Sequence, residues 1–130
     1  HDLLPEADVI SFHCPLTDAT RGLLNRDNLS RCQQHALIIN NARGGVVNEE
    51  DVLTALREGM IGGFATDVLP QEPPAAGHPL LEALNESLNL IITPHNAWTS
   101  REARQRIIEL TAENIRQFQH AQSNDVDKTV

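Results

Sequence analysis

The sequence lacks several features that mark whole classes of protein. No apolar run approaches the roughly 20 residues of a membrane-spanning helix, and the start has neither the basic residues nor the apolar core of a signal peptide. The formal net charge of −8 argues against a nucleic-acid partner. Internal repeats and low-complexity segments are also absent. We therefore expect a protein without a membrane span and without nucleic acid.

Cysteine is scarce, and the spacing of Cys14 and Cys32 suits neither a metal site nor a redox motif. Free thiols are typical of a reducing compartment, so we expect a cytoplasmic protein with no metal centre. Methionine does not open the chain, and 130 residues suit one domain or part of a larger one. We expect the sequence to begin inside a longer protein.

Short apolar segments alternate with helical patterns along most of the chain. Strands are predicted over residues 7–13, 36–40, 63–68 and 90–93, and helices over 26–33, 49–59, 79–84 and 100–122. This alternation with short connections is typical of an α/β fold with a parallel sheet. Asn48 is positioned to cap the second helix, and Thr99 and Glu102 have the spacing of a capping box for the last. Five residues of that last helix are predicted to face inward: Ala103, Ile107, Leu110, Ile115 and Phe118.

The stretch 37–48 organises the rest of the chain. Its apolar start shows no alternation, which predicts a strand buried on both faces of a parallel sheet. Arg43 follows the carboxyl end of that strand, where open α/β sheets bind ligands. Its planar guanidinium matches a carboxylate or a phosphate. The alternative is a surface arginine in a turn.

Polar groups also follow the other predicted strands. They are His13, Asp67 and His95, with Glu72 on the proline-rich loop after Asp67. A histidine can transfer protons near neutral pH, and a neighbouring carboxylate can orient it. An arginine can hold an anionic substrate and polarise its carbonyl. Each residue also has a structural interpretation: His95 in a satisfied turn, Glu72 in solvent, or Asp67 as a cap.

Four motifs in this order resemble the D-isomer-specific 2-hydroxyacid dehydrogenase family. They are His13-Cys14-Pro15-Leu16-Thr17, Asn41-Ala42-Arg43-Gly44-Gly45-Val46-Val47-Asn48, Asp67-Val68 through Glu72-Pro73, and Thr93-Pro94-His95-Asn96-Ala97-Trp98. With their spacing they cover nearly the whole chain. The resemblance implies a partial doubly wound, Rossmann-like parallel sheet with a long C-terminal helix.

The resemblance also implies the roles of individual residues. Arg43 would bind the substrate carboxylate and carbonyl, His95 would be the general acid or base, and Glu72 would pair with it. Asp67 would lie by the nicotinamide of NAD. Other cofactor contacts would come from Cys14 and Asn41, and from the backbone around His95, Asn96, Ala97 and Trp98.

The motifs around residues 67–74 and 96–98 look most like the glycerate dehydrogenase, or hydroxypyruvate reductase, branch. No Gly-x-Gly-x-x-Gly occurs in the chain, and the resemblance implies that this turn and the residues that discriminate NAD from NADP lie upstream. The predicted organisation is residues 1–98 as the later part of the NAD-binding domain, 99–122 as a closing helix and 123–130 as a tail.

The expected activity is oxidation or reduction of a small D-2-hydroxy or 2-oxo acid with NAD, or with NADP, by a homodimeric full-length protein. The alternatives are a non-catalytic NAD-binding module or an inactive fragment of such an enzyme. The 130 residues alone are expected to bind NAD poorly, because the pyrophosphate-binding turn is missing.

Overall fold

A computed structural model describes residues 3–126 and the side chains of residues 3–121. The chain forms two compact units, and the boundary between them falls between His95 and Asn96. The first unit holds the sheet, and the second holds the last helix. The predicted division at residues 98 and 122 stays a prediction, and residues 127–130 of the predicted tail lie outside the described residues.

The first unit contains the expected parallel sheet. Its strands are β1 (Val9–Phe12), β2 (Leu37–Asn40), β3 (Gly63–Thr66) and β4 (Leu90–Ile92). They lie side by side in sequence order. The register pairs the last residues of all four strands, Phe12, Asn40, Thr66 and Ile92. The carboxyl ends are therefore level, so the loops after them leave the sheet along one edge.

Burial of the sheet differs between its two faces, which corrects our prediction for β2. Ile38 and Asn40 are buried, whereas Leu37 is 41% exposed and Ile39 is half-buried. The same alternation continues on the outer strands, where Val9 and Ile91 are exposed. The helices of this unit cover only the face that carries Ile38, and none of them covers the other face.

Three helices connect the strands: α1 (Arg26–Leu29), α2 (Glu49–Arg57) and α3 (Pro79–Glu82). The predicted cap of α2 is confirmed, since the Asn48 side chain accepts the N–H of Asp51 at 3.3 Å. Four residues on one face of α2 are buried against the sheet and form the centre of the core: Val52, Leu53, Ala55 and Leu56. Burial of this face fixes the position of α2, because apolar area removed from water is the main stabilising contribution to folding.

The second unit contains a 3-10 turn (Ala97–Thr99) and helix α4 (Arg101–Val126). Helix α4 extends into the predicted tail, because the polar residues there do not interrupt the hydrogen bonds of the helix backbone. Ser100, rather than Thr99, caps it by accepting the Ala103 N–H at 3.1 Å. The predicted inward face is wrong for Ile107, Leu110, Ile115 and Phe118, which are exposed. Within residues 3–126, no helix combines the length and the apolar character needed to cross a membrane.

Glu49, the first residue of α2, lies 3.2 Å from Nε2 of His78, just before α3. Both side chains are mostly buried, and burial raises the pKa of Glu49 from its usual 4.5 to about 7. Because the folded state then binds the proton more tightly than the unfolded state, stability falls as the pH rises from about 4.5 to about 7.

Replacing the carboxyl group with an amide is expected to remove this pH dependence. The unfolding free energy of Glu49→Gln, taken relative to that of the wild type, should increase by up to about 3 kcal/mol from pH 5 to pH 8. Thermal unfolding of the full-length variants at both pH values measures the difference. Glu50→Gln, at the exposed neighbouring position, is the matched control. A difference between Glu49→Gln and the wild type that is the same at both pH values would contradict the prediction.

Candidate active site

The level strand ends bring the predicted site residues to one edge of the sheet. Cys14 follows β1, Arg43 follows β2, Asp67 follows β3 directly and His95 follows β4. This edge, at the carboxyl ends of parallel strands, is where open α/β sheets bind ligands. The placement is a consequence of register, because a shift of any strand would move its loop out of line with the others.

Glu72 and His95 form a direct pair across this edge. Oε2 of Glu72 lies 2.6 Å from Nδ1 of His95, and its Oε1 accepts the Leu69 N–H at 2.8 Å. The hydrogen bond with His95, and then the one from Leu69, lower the pKa of Glu72 below its usual range. Both side chains are partly exposed, so the pair is fixed in orientation yet open to a ligand.

His95 has an unusual backbone conformation. Its φ is +51°, in the left-handed region that is costly for most residues other than glycine. The residue is held there by the hydrogen bond from its N–H to the Thr93 carbonyl at 3.0 Å and by the contact of its ring with Glu72. Strain of this kind is concentrated at functional sites, where it fixes the direction of a side chain.

Arg43 is exposed, but the backbone that carries it is firmly held. The buried side chain of Asn40 accepts the Ala42 N–H at 3.1 Å and donates to the Arg43 carbonyl at 3.0 Å. The guanidinium Nη1 donates to the Ala42 carbonyl at 2.7 Å. Sequence reasoning selected Asn41, which is exposed, and missed Asn40. The available signal was an amide at the last position of an apolar strand.

Asp67 is a nearly buried carboxylate at the end of β3. The Thr93 hydroxyl donates to its Oδ1, and its own N–H donates to the Asn40 carbonyl at 3.1 Å. Thr93 is a second residue that sequence reasoning did not assign to the site. A hydroxyl two residues before the candidate histidine, at the end of the next strand, was the signal for it.

Two clefts open along the edge of the sheet. The cleft at the ends of β3 and β4 has a volume of about 460 Å³ and is lined by Asp67, Glu72 and His95 together with leucine and proline side chains. The cleft at the ends of β1 and β2 is lined by Cys14, Asn41 and Arg43. Each therefore contains part of the predicted set, and together they cover all four strand ends.

The remaining predicted cofactor contacts belong to the second unit. Asn96 precedes the 3-10 turn that contains Ala97 and Trp98, and Trp98 is 53% exposed. Their assignment to a cofactor site stays a prediction. Among the side chains that the structure describes, no group of three or more His, Cys, Asp or Glu residues could hold a metal ion.

The pairing of Glu72 with His95 leads to a prediction about pH. In Glu72→Gln the amide no longer stabilises the imidazolium, so activity that needs protonated His95 is expected to fall off at a lower pH than in the wild type. Activity that needs neutral His95 should suffer less. The pH dependence of kcat/KM in both directions of the reaction proposed below measures the effect.

Glu86→Gln is the control for this measurement. Glu86 is an exposed carboxylate whose pKa is also lowered, by its hydrogen bonds with Arg57, and it does not line the cleft. Its replacement should leave the pH profile in place. Profiles that coincide for Glu72→Gln and the wild type would show that the pair does not govern proton transfer.

Known proteins are similar to this chain both in sequence and in fold. The model of the family described as D-isomer specific 2-hydroxyacid dehydrogenase, NAD binding domain, matches residues 1–97. The glycerate dehydrogenase of Methylorubrum extorquens is 42% identical over 116 residues, which cover 89% of this chain and 36% of that protein. The hydroxypyruvate reductase of Blautia hydrogenotrophica is 37% identical over 117 residues, 90% of this chain and 35% of that protein.

Among solved structures, the D-lactate dehydrogenase of Aquifex aeolicus, complexed with NAD and lactic acid, has a TM-score of 0.78. It is 32% identical, and the match covers 92% of this chain and 39% of that one. The chain thus spans a little over a third of the length of the glycerate dehydrogenase and the hydroxypyruvate reductase. The match to the family model includes all four strands of the sheet and the loops that follow them.

Proposed function

The chain belongs to the D-isomer specific 2-hydroxyacid dehydrogenase family, and on this premise we propose that it forms the catalytic edge of a complete oxidoreductase. That enzyme interconverts a small D-2-hydroxy acid and its 2-oxo acid with NAD, or with NADP. The observation that carries the proposal is the Glu72–His95 pair, with 2.6 Å between Oε2 and Nδ1. A module that only bound NAD would not need a proton-transfer pair at this edge.

The geometry of the pair assigns the proton-transfer atom. Glu72 engages Nδ1 of His95, so the other ring nitrogen, Nε2, gives a proton to the carbonyl oxygen in reduction and takes it from the hydroxyl in oxidation. The Leu69 N–H fixes the carboxylate of Glu72, so the imidazole is held in one orientation.

Arg43 supplies the anion clamp in this proposal. Its planar fork of donors can hold the substrate carboxylate through two parallel hydrogen bonds and draw electron density from the adjacent carbonyl. Asn40 keeps the backbone of Arg43 in place, so the guanidinium starts from a fixed point at the end of β2. Holding both groups of the substrate lowers the entropic cost of reaching the reactive geometry.

The residues present fit the nicotinamide end of the cofactor. Asp67 offers a nearly buried carboxylate, an acceptor for an amide N–H, at the edge of the sheet. Cys14 and Asn41 line the adjoining cleft. On the resemblance to the family alone, we also propose Asn96, Ala97, Trp98 and the backbone of His95 as cofactor contacts. When bound, the cofactor carries the hydride.

We further propose a homodimer in the cytoplasm for the full-length protein. The two free cysteines, both half-buried, support a reducing compartment. Analytical ultracentrifugation of the full-length protein tests the dimer, and a monomer at micromolar concentration would contradict it.

Hydroxypyruvate or glyoxylate is the proposed substrate, with glycerate or glycolate as product. The identity with a glycerate dehydrogenase and a hydroxypyruvate reductase supports this choice. We expect a higher kcat/KM for hydroxypyruvate or glyoxylate than for a branched 2-oxo acid, measured by NADH oxidation with the full-length protein. A higher kcat/KM for the branched 2-oxo acid would contradict this choice and assign the protein to another subgroup of the family. Absence of turnover with every 2-oxo acid, despite binding of NADH, would favour the non-catalytic module.

A further inference from the structure

Gly44 is a glycine because of space rather than backbone conformation. The glycines with positive φ are Gly22, Gly59 and Gly77, so the backbone at Gly44 is one that other residues adopt. However, a Cβ placed on Gly44 would lie 2.1 Å from the carbonyl carbon of Leu69 and 2.2 Å from the nitrogen of Pro70. A methyl group there cannot be accommodated unless one of the two backbone segments moves.

This contact joins the two halves of the proposed site. On one side, Gly44 directly follows Arg43 and opens the 3-10 turn Gly44–Val46. On the other side, the Leu69 N–H holds Oε1 of Glu72, whose Oε2 contacts Nδ1 of His95. The Gly44 backbone thus rests on the same peptide segment that orients the acid/base pair.

We propose that Gly44 is a positioning residue that sets the spacing between Arg43 and the Glu72–His95 pair through its contact with the Leu69–Pro70 peptide. The proposal rests on the proposed function, because it assigns Arg43 and His95 to one substrate molecule. A 2-oxo acid carries its carboxylate and its carbonyl on adjacent carbons, so the groups that hold them must keep a fixed separation. A displacement of about 1 Å in such an arrangement can cost on the order of 10² in rate.

The neighbouring glycine provides a matched control. The atoms nearest to a Cβ on Gly45 would be the ends of side chains, Cδ2 of Leu16 at 3.2 Å and Nη1 of Arg21 at 3.4 Å. These ends can move by the few tenths of an ångström that a methyl group needs. Gly44→Ala and Gly45→Ala therefore make the same chemical change in the same 3-10 turn, but only the first displaces backbone next to Glu72.

The experiment compares the steady-state kinetics of full-length wild type, Gly44→Ala and Gly45→Ala with hydroxypyruvate or glyoxylate and NADH across pH. For Gly44→Ala we expect a loss of kcat/KM on the order of 10², mainly in kcat. The decline of kcat/KM on the acid side of the pH profile (the acid limb) should also move to higher pH. The reason is that a displaced Leu69 N–H no longer lowers the pKa of Glu72. Gly45→Ala should keep the wild-type profile. A purely structural role would lower the amount of folded enzyme without moving the profile.

The kinetic results separate the role of Gly44 from the proposed function. Equal profiles for the two alanine variants, with an active wild type, would overturn the role of Gly44 and leave the proposed function standing. A wild type that turns over no 2-oxo acid would overturn both. If Gly44→Ala does not fold, Leu69→Gly provides the second test, since it keeps the N–H but loosens the peptide on which Gly44 rests. It should shift the acid limb in the same direction, and an unmoved limb would contradict the proposal.

Discussion

His95→Asn in the full-length protein is expected to lower kcat/KM by about 10²- to 10⁴-fold, in both directions of the reaction. The same ring nitrogen gives the proton in reduction and takes it in oxidation, and an amide can do neither. Asparagine is the substitution that disturbs the backbone least, because it adopts the left-handed backbone region more readily than most residues. The φ of +51° can therefore be kept, so the loss reports proton transfer rather than misfolding.

His35→Asn is the matched control for this variant. His35 also forms an exposed pair with a carboxylate, 2.7 Å from Oδ1 of Asp8, but it precedes β2 and lies away from the carboxyl edge. Steady-state kinetics and thermal unfolding of both variants separate chemistry from folding. A well-folded His95→Asn enzyme with kcat/KM close to that of the wild type would remove His95 from the reaction.

Arg43→Lys is expected to lower kcat/KM by a factor on the order of 10² or more, although the positive charge is retained. An ammonium group is a point donor and cannot make the two parallel hydrogen bonds that a guanidinium makes to a carboxylate. The lysine side chain is also shorter than the arginine side chain. The backbone cannot compensate by moving toward the substrate, because Asn40 holds the Arg43 backbone in place. Kinetics with hydroxypyruvate, at saturating NADH, measures the loss.

Arg57→Lys makes the same change at an exposed position. There the guanidinium donates through Nε to Oε2 of Glu86 at 3.0 Å and through Nη2 to Oε1. Exposed ion pairs contribute little to stability, so this variant should keep wild-type kinetics. If Arg43→Lys and Arg57→Lys behave alike, the clamp does not involve Arg43.

The order of the elements could be predicted from the sequence because it depends on local patterns. Short apolar segments that are followed by proline, asparagine or aspartate predicted all four strands, and Asn48 predicted the start of α2. Parallel strands with short connections then place their following loops on one edge. This is why Arg43, Glu72 and His95 could be proposed as a group before any contact between them was known.

Other features depend on neighbours that are distant in the sequence. The exposure of Leu37 and Ile91 on one face of the sheet could not be predicted, because an apolar run is compatible with burial on one face or on both. The exposed apolar residues of α4 have the same origin, since a helical period shows which residues share a face but not whether that face is covered.

The sequence by itself determined the strand–helix alternation and the residue types at the strand ends, because these depend on local pattern, and the resemblance of its four motifs indicated the family. Only the tertiary structure decided that Asn40 rather than Asn41 holds the Arg43 loop, that Thr93 donates to Asp67, and that Gly44 rests on the loop that orients Glu72. The physical reason is that hydrogen bonds and close packing act over a few ångströms, and strand register decides which residues approach within that distance.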